Sequence, residues 1–398
     1  MTRLYPVSLL WLSALLVACG GRMVDGVDGG GGGGTDAGPM MDGGTPPMTD
    51  SGPGDPDAGT TDDAGPPDAG PPPGCACPAF PTTCAPPTLD TPVFTPDAEA
   101  MVGQIFDVIA CADTTLDIAV YRGNWDCIVD AVNTQLSRDA DLQVRIVVDN
   151  EDCETGDCLA ERFAPSERVT VIRDTRIGSL MHHKLVIADG TRAWIGSANF
   201  NEGSFCREHN NALVTEQAEI VTALAGEYDR MAGGDFSPMS AEEGAPTVGG
   251  NYTLYFSPVS PQSSPGPWFE AMRAAIDSAT TSIDVMTNAW TRSELATDML
   301  MAEERGVTVR AVVSSRFAAD FPAQVLAQAG ANIREDIVHD KVMIIDGQTV
   351  ITGSANWSMN AWSNNENQLW IDDAATAALF TAEFETVYAA AEPVPFME

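Results

Sequence analysis

The chain has 398 residues and a formal net charge of −37, from 57 acidic residues against 20 lysines and arginines. This length is too great for one ordinary domain and predicts two lobes, and a hydrophobic content of 44% is typical of a soluble globular body. The strong acidity disfavours nucleic acid as a partner, because it repels polyanions at long range.

The N-terminus has the pattern of an export signal. Arg3 precedes an apolar run over residues 7–17, which is too short to cross a bilayer as a helix. Small residues lead from this run directly into Cys19, as in a bacterial lipobox. We therefore expect residues 1–18 to be a lipoprotein signal peptide and Cys19 to be lipidated. The alternatives are an ordinary cleavable signal or a chance cysteine. No retention signal follows the cysteine, which favours the outer membrane within the cell envelope.

Residues 19–74 are mostly Gly, Pro, Asp and Thr, with almost no branched apolar side chains. Such a segment cannot bury enough surface to offset chain entropy, so it is predicted to be a disordered tether with a reach of roughly 40 Å. It contains ten Asp and one Arg. With Arg3 also set aside, the body over residues 75–398 carries a charge of −29.

Eight cysteines remain besides Cys19, and all of them precede residue 207. An even number in an exported chain predicts disulfides, here confined to the first lobe. Their pairing cannot be deduced, although Cys153 and Cys158 are close enough for a local bridge. A metal site is the alternative, but no cysteine spacing resembles a zinc site. We expect neither a metal nor a cofactor.

The body contains an internal repeat. Residues 115–121 alternate like a strand, and residues 282–287 match them 167 positions later. A helical stretch follows each, and then a second strand, at 144–148 and at 309–313. Strands that alternate with helices predict α/β lobes, each a sheet covered by helices. Closing helices are expected at 216–231 and 374–391.

A third pair of equivalent segments in the repeat has the pattern H-x-K-x4-D, at residues 182–189 and 339–346. The only two lysines of the chain, Lys184 and Lys341, lie in these copies, whereas the other 18 basic residues are arginines. This distribution indicates that a compact ammonium is needed there, for catalysis or phosphate contact. The first lobe has about eight extra residues before its motif, most simply in the segment with Cys153 and Cys158.

Each motif is predicted to be a strand that ends in a tight Asp-Gly turn, followed by a second strand. That second strand leads in both lobes into Gly-Ser-x-Asn, which supplies Ser197 and Asn199 in one copy and Ser354 and Asn356 in the other. One lobe holds only half a site, so two facing lobes would build one active site.

These residues suit phosphoryl transfer. A neutral histidine can attack phosphorus to give a phosphohistidine, while a second, protonated histidine gives its proton to the leaving alcohol. Lysines and asparagines can hold the non-bridging oxygens and stabilise the developing charge. Water or another alcohol then resolves the intermediate, and this scheme requires no metal.

The doubled motif with Gly-Ser-x-Asn resembles the phospholipase D superfamily over nearly all of residues 89–398. The run Asn356-Trp357-Ser358, together with Asn365-Glu366-Asn367, resembles the bacterial endonuclease and cardiolipin-hydrolase branch. The resemblance implies two pseudo-symmetric lobes, residues 75–235 and 236–398. Each would be a mixed β-sheet flanked by helices, with one active site between them.

The resemblance also implies roles for individual residues. His182 and His339 would be nucleophile and general acid, and in many members the first-lobe histidine attacks. Asp189 and Asp346 complete the motifs and usually fix the hairpin. Glu366 would orient a catalytic histidine. Gapless alignment places His209 opposite it in the first lobe, with Glu208 one position early, so either the loop shifts by one residue or the first lobe lacks this carboxylate. The implied catalytic set is His182, Lys184, Asp189, His339, Lys341 and Asp346, and the implied substrate-binding set is Ser197, Asn199, Ser354, Asn356 and Glu366.

We therefore expect a metal-independent phosphodiesterase that cleaves or exchanges phospholipid headgroups and is held at a membrane by its anchor. One alternative is a non-specific endonuclease on DNA or RNA, which the motif style favours and the charge disfavours. Another is a non-catalytic phosphate-binding envelope protein. His183 is expected to be a strand neighbour of the site. Trp125, Trp290, Trp357 and Trp362 are expected to pack in the core, with a place in the pocket wall as the alternative. The oligomeric state stays open.

Overall fold

The computed structural model describes residues 75–85, 88–154, 158–163, 166–261 and 266–395. The predicted signal peptide, Cys19 and the tether lie outside these residues. Among the helices in the described ranges, none has the length and apolar character needed to cross a membrane.

The first sheet has seven strands in the spatial order β1-β7-β6-β5-β2-β3-β4. Its strands are β1 (Val93–Phe94), β2 (Thr115–Val120), β3 (Gln143–Asp149), β4 (Val169–Asp174), β5 (Lys184–Ala188), β6 (Arg192–Gly196) and β7 (Asn211–Thr215). The helices of this half are α1 (Ala98–Ala110), α2 (Asp126–Arg138), α3 (Asn150–Glu154), α4 (Glu202–Cys206) and α5 (Ala218–Ala232).

The second sheet has nine strands in the order β16-β12-β11-β10-β13-β14-β15-β9-β8. Its strands are β8 (Thr247–Gly249), β9 (Tyr252–Ser257), β10 (Ser282–Thr287), β11 (Thr308–Ser314), β12 (Asn332–Asp336), β13 (Lys341–Ile345), β14 (Thr349–Gly353), β15 (Glu366–Asp372) and β16 (Glu392–Pro393). The helices are α6 (Pro267–Ser278), α7 (Ser293–Glu304), α8 (Phe321–Ala329) and α9 (Ala374–Ala390).

The predicted α/β class with two mixed sheets is confirmed. In each lobe a parallel pair, β2–β3 or β10–β11, is joined to an antiparallel motif strand, β5 or β13. The strands and closing helices expected from the repeat all form, with shifts of one or two residues at their ends. The chain passes from the first sheet to the second between α5 and β8. The boundary at residues 235 and 236 stays a prediction.

Successive strand residues face opposite sides of a sheet, so each sheet has two faces to bury. One face of each sheet packs into the same central core. Ile118 and Val186 face α1 and α2, whereas Ala119 and Leu185 face a central layer that contains α5 and α9. The second sheet packs its other face on α6, α7 and α8. The described body is thus a five-layer helix–sheet–helix–sheet–helix arrangement that buries both faces of both sheets.

Both motif hairpins turn through a left-handed Asp-Gly pair. Asp189 and Asp346 have φ values of 51° and 54°, and the glycines after them have 61° and 62°. Asp189 accepts hydrogen bonds from the backbone of residues 113–115, and Asp346 accepts them from residues 280–282. Each aspartate therefore ties its hairpin to the start of the neighbouring parallel strand.

The sequence predicts the eight extra residues of the first lobe in the segment with Cys153 and Cys158, but most of them lie elsewhere. The strand pairing makes Asp174 equivalent to Asp336, because these residues end the matching ladders. Seven residues lie between Asp174 and His182, but only two lie between Asp336 and His339. Five of the eight extra residues therefore form a loop at 175–179, and only three lie in the stretch with Cys153 and Cys158.

Four disulfides form, and all of them lie in the first lobe as expected. They join Cys75 to Cys206, Cys77 to Cys127, Cys84 to Cys111 and Cys153 to Cys158. The last is the local bridge that the sequence allowed. The other three attach the first ten described residues to the outer surface of the first lobe.

We predict that Asp346→Ala lowers the free energy of unfolding by about 2–4 kcal/mol. The change removes the acceptor of several backbone and hydroxyl donors, and it puts alanine at a positive φ that aspartate tolerates better. Hydrogen bonding holds the pKa of Asp346 below its usual range, so the stabilisation is present at neutral pH and declines as the pH falls through acid values. Urea unfolding at pH 7 and pH 3 measures both effects.

Asp346→Asn should lose less, because asparagine tolerates the left-handed conformation and keeps one acceptor oxygen. Asp277→Ala removes an exposed carboxylate 3.7 Å from Arg305 and serves as the control, with an expected change below about 0.5 kcal/mol. Equal losses in Asp346→Ala and Asp277→Ala would contradict the structural role of Asp346.

Candidate active site

The two motif histidines are held by side chains of the opposite lobe. His182 is fully buried, and its Nδ1 lies 2.8 Å from Oε2 of Glu366, the first residue of β15. The backbone N–H of His182 donates to the carbonyl of Asn365 at 3.0 Å. A carboxylate can only accept, so Nδ1 carries the proton and Nε2 is the nitrogen available for chemistry.

The second histidine has a matching arrangement with a different partner. His339 Nδ1 lies 2.9 Å from Oδ1 of Asn210, and the backbone N–H of His339 donates to the carbonyl of His209 at 2.9 Å. Asn210 Nδ2 donates to the carbonyl of Ser204 at 2.9 Å, so its oxygen is the atom that faces His339. His339 therefore also carries its proton on Nδ1.

This pairing corrects the expected counterpart of Glu366. The N–H of Ser197 donates to the carbonyl of Asn211, and that of Ser354 donates to the carbonyl of Asn367, so the two asparagines are equivalent. The residue before each, Asn210 or Glu366, then contacts the histidine. Gapless alignment had placed His209 there, because it missed one extra residue in the first-lobe loop. The first lobe lacks the orienting carboxylate.

Both lysines lie beside the histidines. Nζ of Lys184 donates to the carbonyl of His182 at 2.8 Å, and Nζ of Lys341 donates to that of His339 at 2.7 Å. The Lys341 ammonium is 3.3 Å from His339 Nε2. Two ammonium groups in one buried site create a local positive field inside an acidic protein, which suits a phosphodiester anion.

The asparagines and serines of Gly-Ser-x-Asn lie at the same edge but have different partners. Asn199 and Asn356 are buried, and Oδ1 of Asn199 forms no hydrogen bond with any described residue. The Ser197 hydroxyl donates to Asn210 Oδ1 at 2.9 Å, and that of Ser354 accepts from the Asn367 N–H at 2.9 Å. The Ser197 hydroxyl thus supports the residue that holds His339, and the Ser354 hydroxyl supports the residue after Glu366. Contact of either hydroxyl with substrate stays a prediction.

Asp189 and Asp346 do not lie with the other catalytic candidates. The motif strands begin at the lysines and end at these aspartates, so each carboxylate lies at the opposite end of a buried strand. The geometry corrects their place in the catalytic set and agrees with the implied hairpin role.

Several supporting residues were not found from the sequence. Asn211 donates to Asp340 Oδ1 at 2.6 Å, and Asp149 accepts from the N–H of Met181, the residue before His182, at 2.7 Å. Burial raises the pKa of Asp149 to about 7. Asn210 could have been found by matching Asn211 with Asn367, which requires a gap in the loop before them.

The middle residues of the two motifs differ in kind. His183 is buried with Nδ1 2.9 Å from Asn367 Nδ2, so it supports the site as a neighbour rather than facing it. Its counterpart Asp340 is buried, and its Oδ2 has no hydrogen-bond partner among the described residues. Burial raises the pKa of Asp340 to about 6.

The tryptophan candidates pack as expected for core residues. Trp290 and Trp357 are buried in edge-to-face contact with ring centroids 5.3 Å apart. Trp125 stacks on Phe205. His209 lies 3.8 Å from Glu383 of the second lobe, so it is an interlobe residue. In the described ranges, no cluster of three or more His, Cys, Asp or Glu residues has the arrangement of a metal site.

Residues 105–232 and 272–388 match the family model described as the PLD-like domain of cardiolipin synthase, which covers more than half of the chain. The chain belongs to this PLD-like family. The two matched segments correspond to the two lobes, and each contains one complete motif. The expectation of a phospholipase D superfamily member is therefore confirmed.

Among curated relatives of this PLD-like chain, the mitochondrial cardiolipin hydrolase of Homo sapiens is 33% identical over 129 residues, covering 31% of this chain and 51% of that protein. The enzyme of the same name from Mus musculus is 31% identical over 129 residues, covering 31% and 58%. The chain spans about half the length of the curated relatives it matches.

Among solved structures, phosphatidylserine synthase from Haemophilus influenzae is similar to this chain with a TM-score of 0.54 and 14% identity, covering 75% of this chain and 86% of that one. At this identity the likeness shows the two-lobed fold alone. The phospholipase D family member Nuc from Salmonella typhimurium is 28% identical over 35% of this chain and 95% of its own, with a TM-score of 0.32.

We predict that Asp340→Asn makes the stability less dependent on pH. A carboxyl whose pKa is raised on folding favours the folded state only while it is protonated, so the wild type loses stability as the pH rises from about 4 to about 6. The variant should be more stable by up to about 3 kcal/mol above pH 6, and equal to the wild type near pH 4. Urea unfolding between pH 4 and pH 8 measures the difference.

Asparagine keeps an acceptor for Asn211, so the comparison isolates the charge. Asp277→Asn, at an exposed site, is the control and should follow the wild type. A constant difference between Asp340→Asn and the wild type across this pH range would rule out titration of Asp340.

Proposed function

We propose that this protein is a phosphodiesterase that cleaves phospholipid headgroups through a phosphohistidine. The observation that carries the proposal is the crossed arrangement of the site: Glu366 of the second lobe holds His182 of the first, and Asn210 of the first holds His339 of the second. A phosphodiester in the cleft would then meet two histidines that present Nε2 and two ammonium groups. The family match and the cardiolipin hydrolase relatives support hydrolysis of phosphodiester bonds.

The unequal partners of the two histidines favour unequal roles. An attacking imidazole becomes positively charged as its Nε2 bonds to phosphorus, and a carboxylate on Nδ1 stabilises that charge more than an amide does. His182, with Glu366, suits the nucleophile. His339, with the neutral Asn210, releases its proton more readily and suits the general acid.

The proposed reaction has two displacements. In the first, Nε2 of neutral His182 forms a bond to phosphorus while the bond to the headgroup oxygen breaks, and His339, protonated on both ring nitrogens, gives its Nε2 proton to that oxygen. In the second, His339 takes a proton from water, the water oxygen bonds to phosphorus, and the bond to His182 breaks. Lys184, Lys341 and Asn199 are the proposed contacts of the non-bridging oxygens.

The substrate and the location are proposals with separate support. The names of the matched family and of the curated relatives refer to cardiolipin, and the N-terminal lipobox pattern would place the protein at a membrane, exported to the cell envelope. The body charge of −29 disfavours the nuclease alternative. It also disfavours strongly anionic lipid surfaces, so phospholipid in a mainly zwitterionic surface is the proposed substrate.

The first experiment incubates the full chain, with disulfides formed and EDTA present, with phosphatidylcholine vesicles that contain a minor fraction of cardiolipin. Headgroup or phosphatidate release is measured, with single-stranded DNA as a parallel substrate. We expect lipid hydrolysis that falls by at least about 10³-fold in His182→Ala.

His209→Asn is the matched histidine control and should retain activity within a few-fold, because its backbone contacts do not change. DNA cleavage without lipid hydrolysis would assign the protein to the nuclease alternative. Activity that survives His182→Ala would rule out the proposed phosphohistidine at this residue.

The second experiment separates nucleophile from acid. We expect His339→Ala to lose about 10²–10⁴-fold with an alkyl headgroup and to recover most of that loss with a p-nitrophenyl phosphodiester, because nitrophenolate leaves without a proton. His182→Ala should be inactive on both substrates. Recovery in His182→Ala instead of His339→Ala would reverse the assignment.

A further inference from the structure

The described chain begins beside the active site. The motif edge is the edge of the two sheets at which β5 and β13 begin, and it carries His182 and His339. Cys75 is bonded to Cys206 on α4, which starts three residues after Asn199, at this edge. Cys77 is bonded to Cys127 at the start of α2, which follows the end of β2 at the same edge. Two disulfides therefore fix the entry of the N-terminal segment at the motif edge.

Four large apolar side chains are exposed at the same edge: Ile177 (97% exposed), Phe321 (69%), Ile337 (57%) and Met359 (53%). Ile177 and Ile337 follow β4 and β12, which run parallel to β3 and β11 towards the motif edge. Phe321 starts α8 after the end of β11, and Met359 follows the end of β14.

The most exposed of these residues lies on a loop with a fixed base. Ile177 is in the 175–179 loop that the second lobe lacks. The neighbouring Arg176 contacts Asp174, the carbonyl of Ser363 and Oδ1 of Asn365. The guanidinium thus fastens the loop to both lobes, next to Glu366, while the isoleucine extends into solvent. An exposed apolar side chain on a loop with a fixed base suits insertion into an apolar environment.

Three of the four side chains lie in segments that flank the catalytic pair, and Phe321 lies at the same edge at the start of α8. The 175–179 loop, which carries Ile177, contacts the segment 359–363, which begins with Met359. The contact is a hydrogen bond from Arg176 to the carbonyl of Ser363, on the side of His182. Ile337 lies on the side of His339, which follows it by two residues. The carbonyl of Ile337 accepts a hydrogen bond from the N–H of His209. The residues come from four separate segments of two lobes. Such scattered apolar groups fit the acyl boundary of a bilayer, which needs no shape complementarity.

We propose that the motif edge docks on a zwitterionic lipid surface, with Ile177, Met359, Ile337 and Phe321 inserted and the active site turned towards the lipid. This inference rests on the proposed phospholipid substrate. The position of Cys75 at the same edge supports it, because the cysteine predicted to be lipidated, Cys19, precedes Cys75 in the chain. The acidic charge sets the preference for zwitterionic over anionic lipid.

The first test uses two methionines of nearly equal exposure as internal probes. Met359 (53%) is at the motif edge, whereas Met301 (56%) is in the last turn of α7, at the opposite edge. The full-length His182→Ala chain is oxidised by peroxide with and without phosphatidylcholine vesicles, which this variant leaves intact. Mass spectrometry should show Met359 oxidation slowed several-fold by vesicles and Met301 oxidation unchanged.

Equal protection of both methionines, protection of Met301 alone, or no protection would overturn the docking proposal. Replacing half of the phosphatidylcholine with phosphatidylglycerol should reduce the protection of Met359. Stronger protection on the anionic vesicles would overturn the stated lipid preference.

The second test compares a dispersed and a vesicular substrate. Ile177→Ser should lower hydrolysis of vesicle phospholipid about tenfold and leave hydrolysis of a short-chain phospholipid below its micelle concentration unchanged. Val248→Ser, at a site 64% exposed near the opposite edge, is the matched control and should change neither. An equal loss on both substrates, or no loss on vesicles, would contradict the proposal. If the wild type cleaves neither lipid, the proposed function fails, and methionine protection still decides the docking.

Discussion

The site depends on hydrogen bonds that cross between the lobes. Each motif histidine has its backbone N–H on a carbonyl of the other lobe and its Nδ1 on a side chain of the other lobe. Neither lobe alone can therefore fix the ring or the tautomer of its own histidine. The shared central core of α5 and α9 makes this crossing rigid, because it packs both sheets against the same two helices. Duplication of one lobe thus provides a complete site only when the copies face each other.

The division of basic residues follows from geometry. Arg145 and Arg310 each bind a buried aspartate with two hydrogen bonds, and each guanidinium also lies over an aromatic ring of a central helix. Planar, bidentate and stacked contacts of this kind require arginine. Lys184 and Lys341 instead reach back to the carbonyl two residues earlier, within the buried motif. A compact ammonium fits at these two positions, which agrees with the presence of lysine there.

The sequence predicted the features that repeat and missed those that differ between the copies. Alternation and the Asp-Gly turns located the motif strands, because burial on both faces and a left-handed turn leave strong local signals. Asn210 was missed because one inserted residue shifts the register without changing the pattern of either strand. The 175–179 loop was assigned to the wrong place, since an offset between motifs does not show where an insertion lies. The contact between Glu366 and His182, 184 positions apart, follows from the packing of the lobes.

The differences between the lobes are where function can be divided. With two identical halves, either histidine could attack, and the direction of substrate binding would be undefined. Here Glu366 faces one histidine and Asn210 the other, His183 corresponds to Asp340, and only the first lobe has the 175–179 loop. Each change alters charge or shape on one side of the site alone. A pseudo-symmetric fold thus acquires a polarity, because a carboxylate faces His182 and a neutral amide faces His339, and the unequal roles proposed for the two histidines rest on this difference.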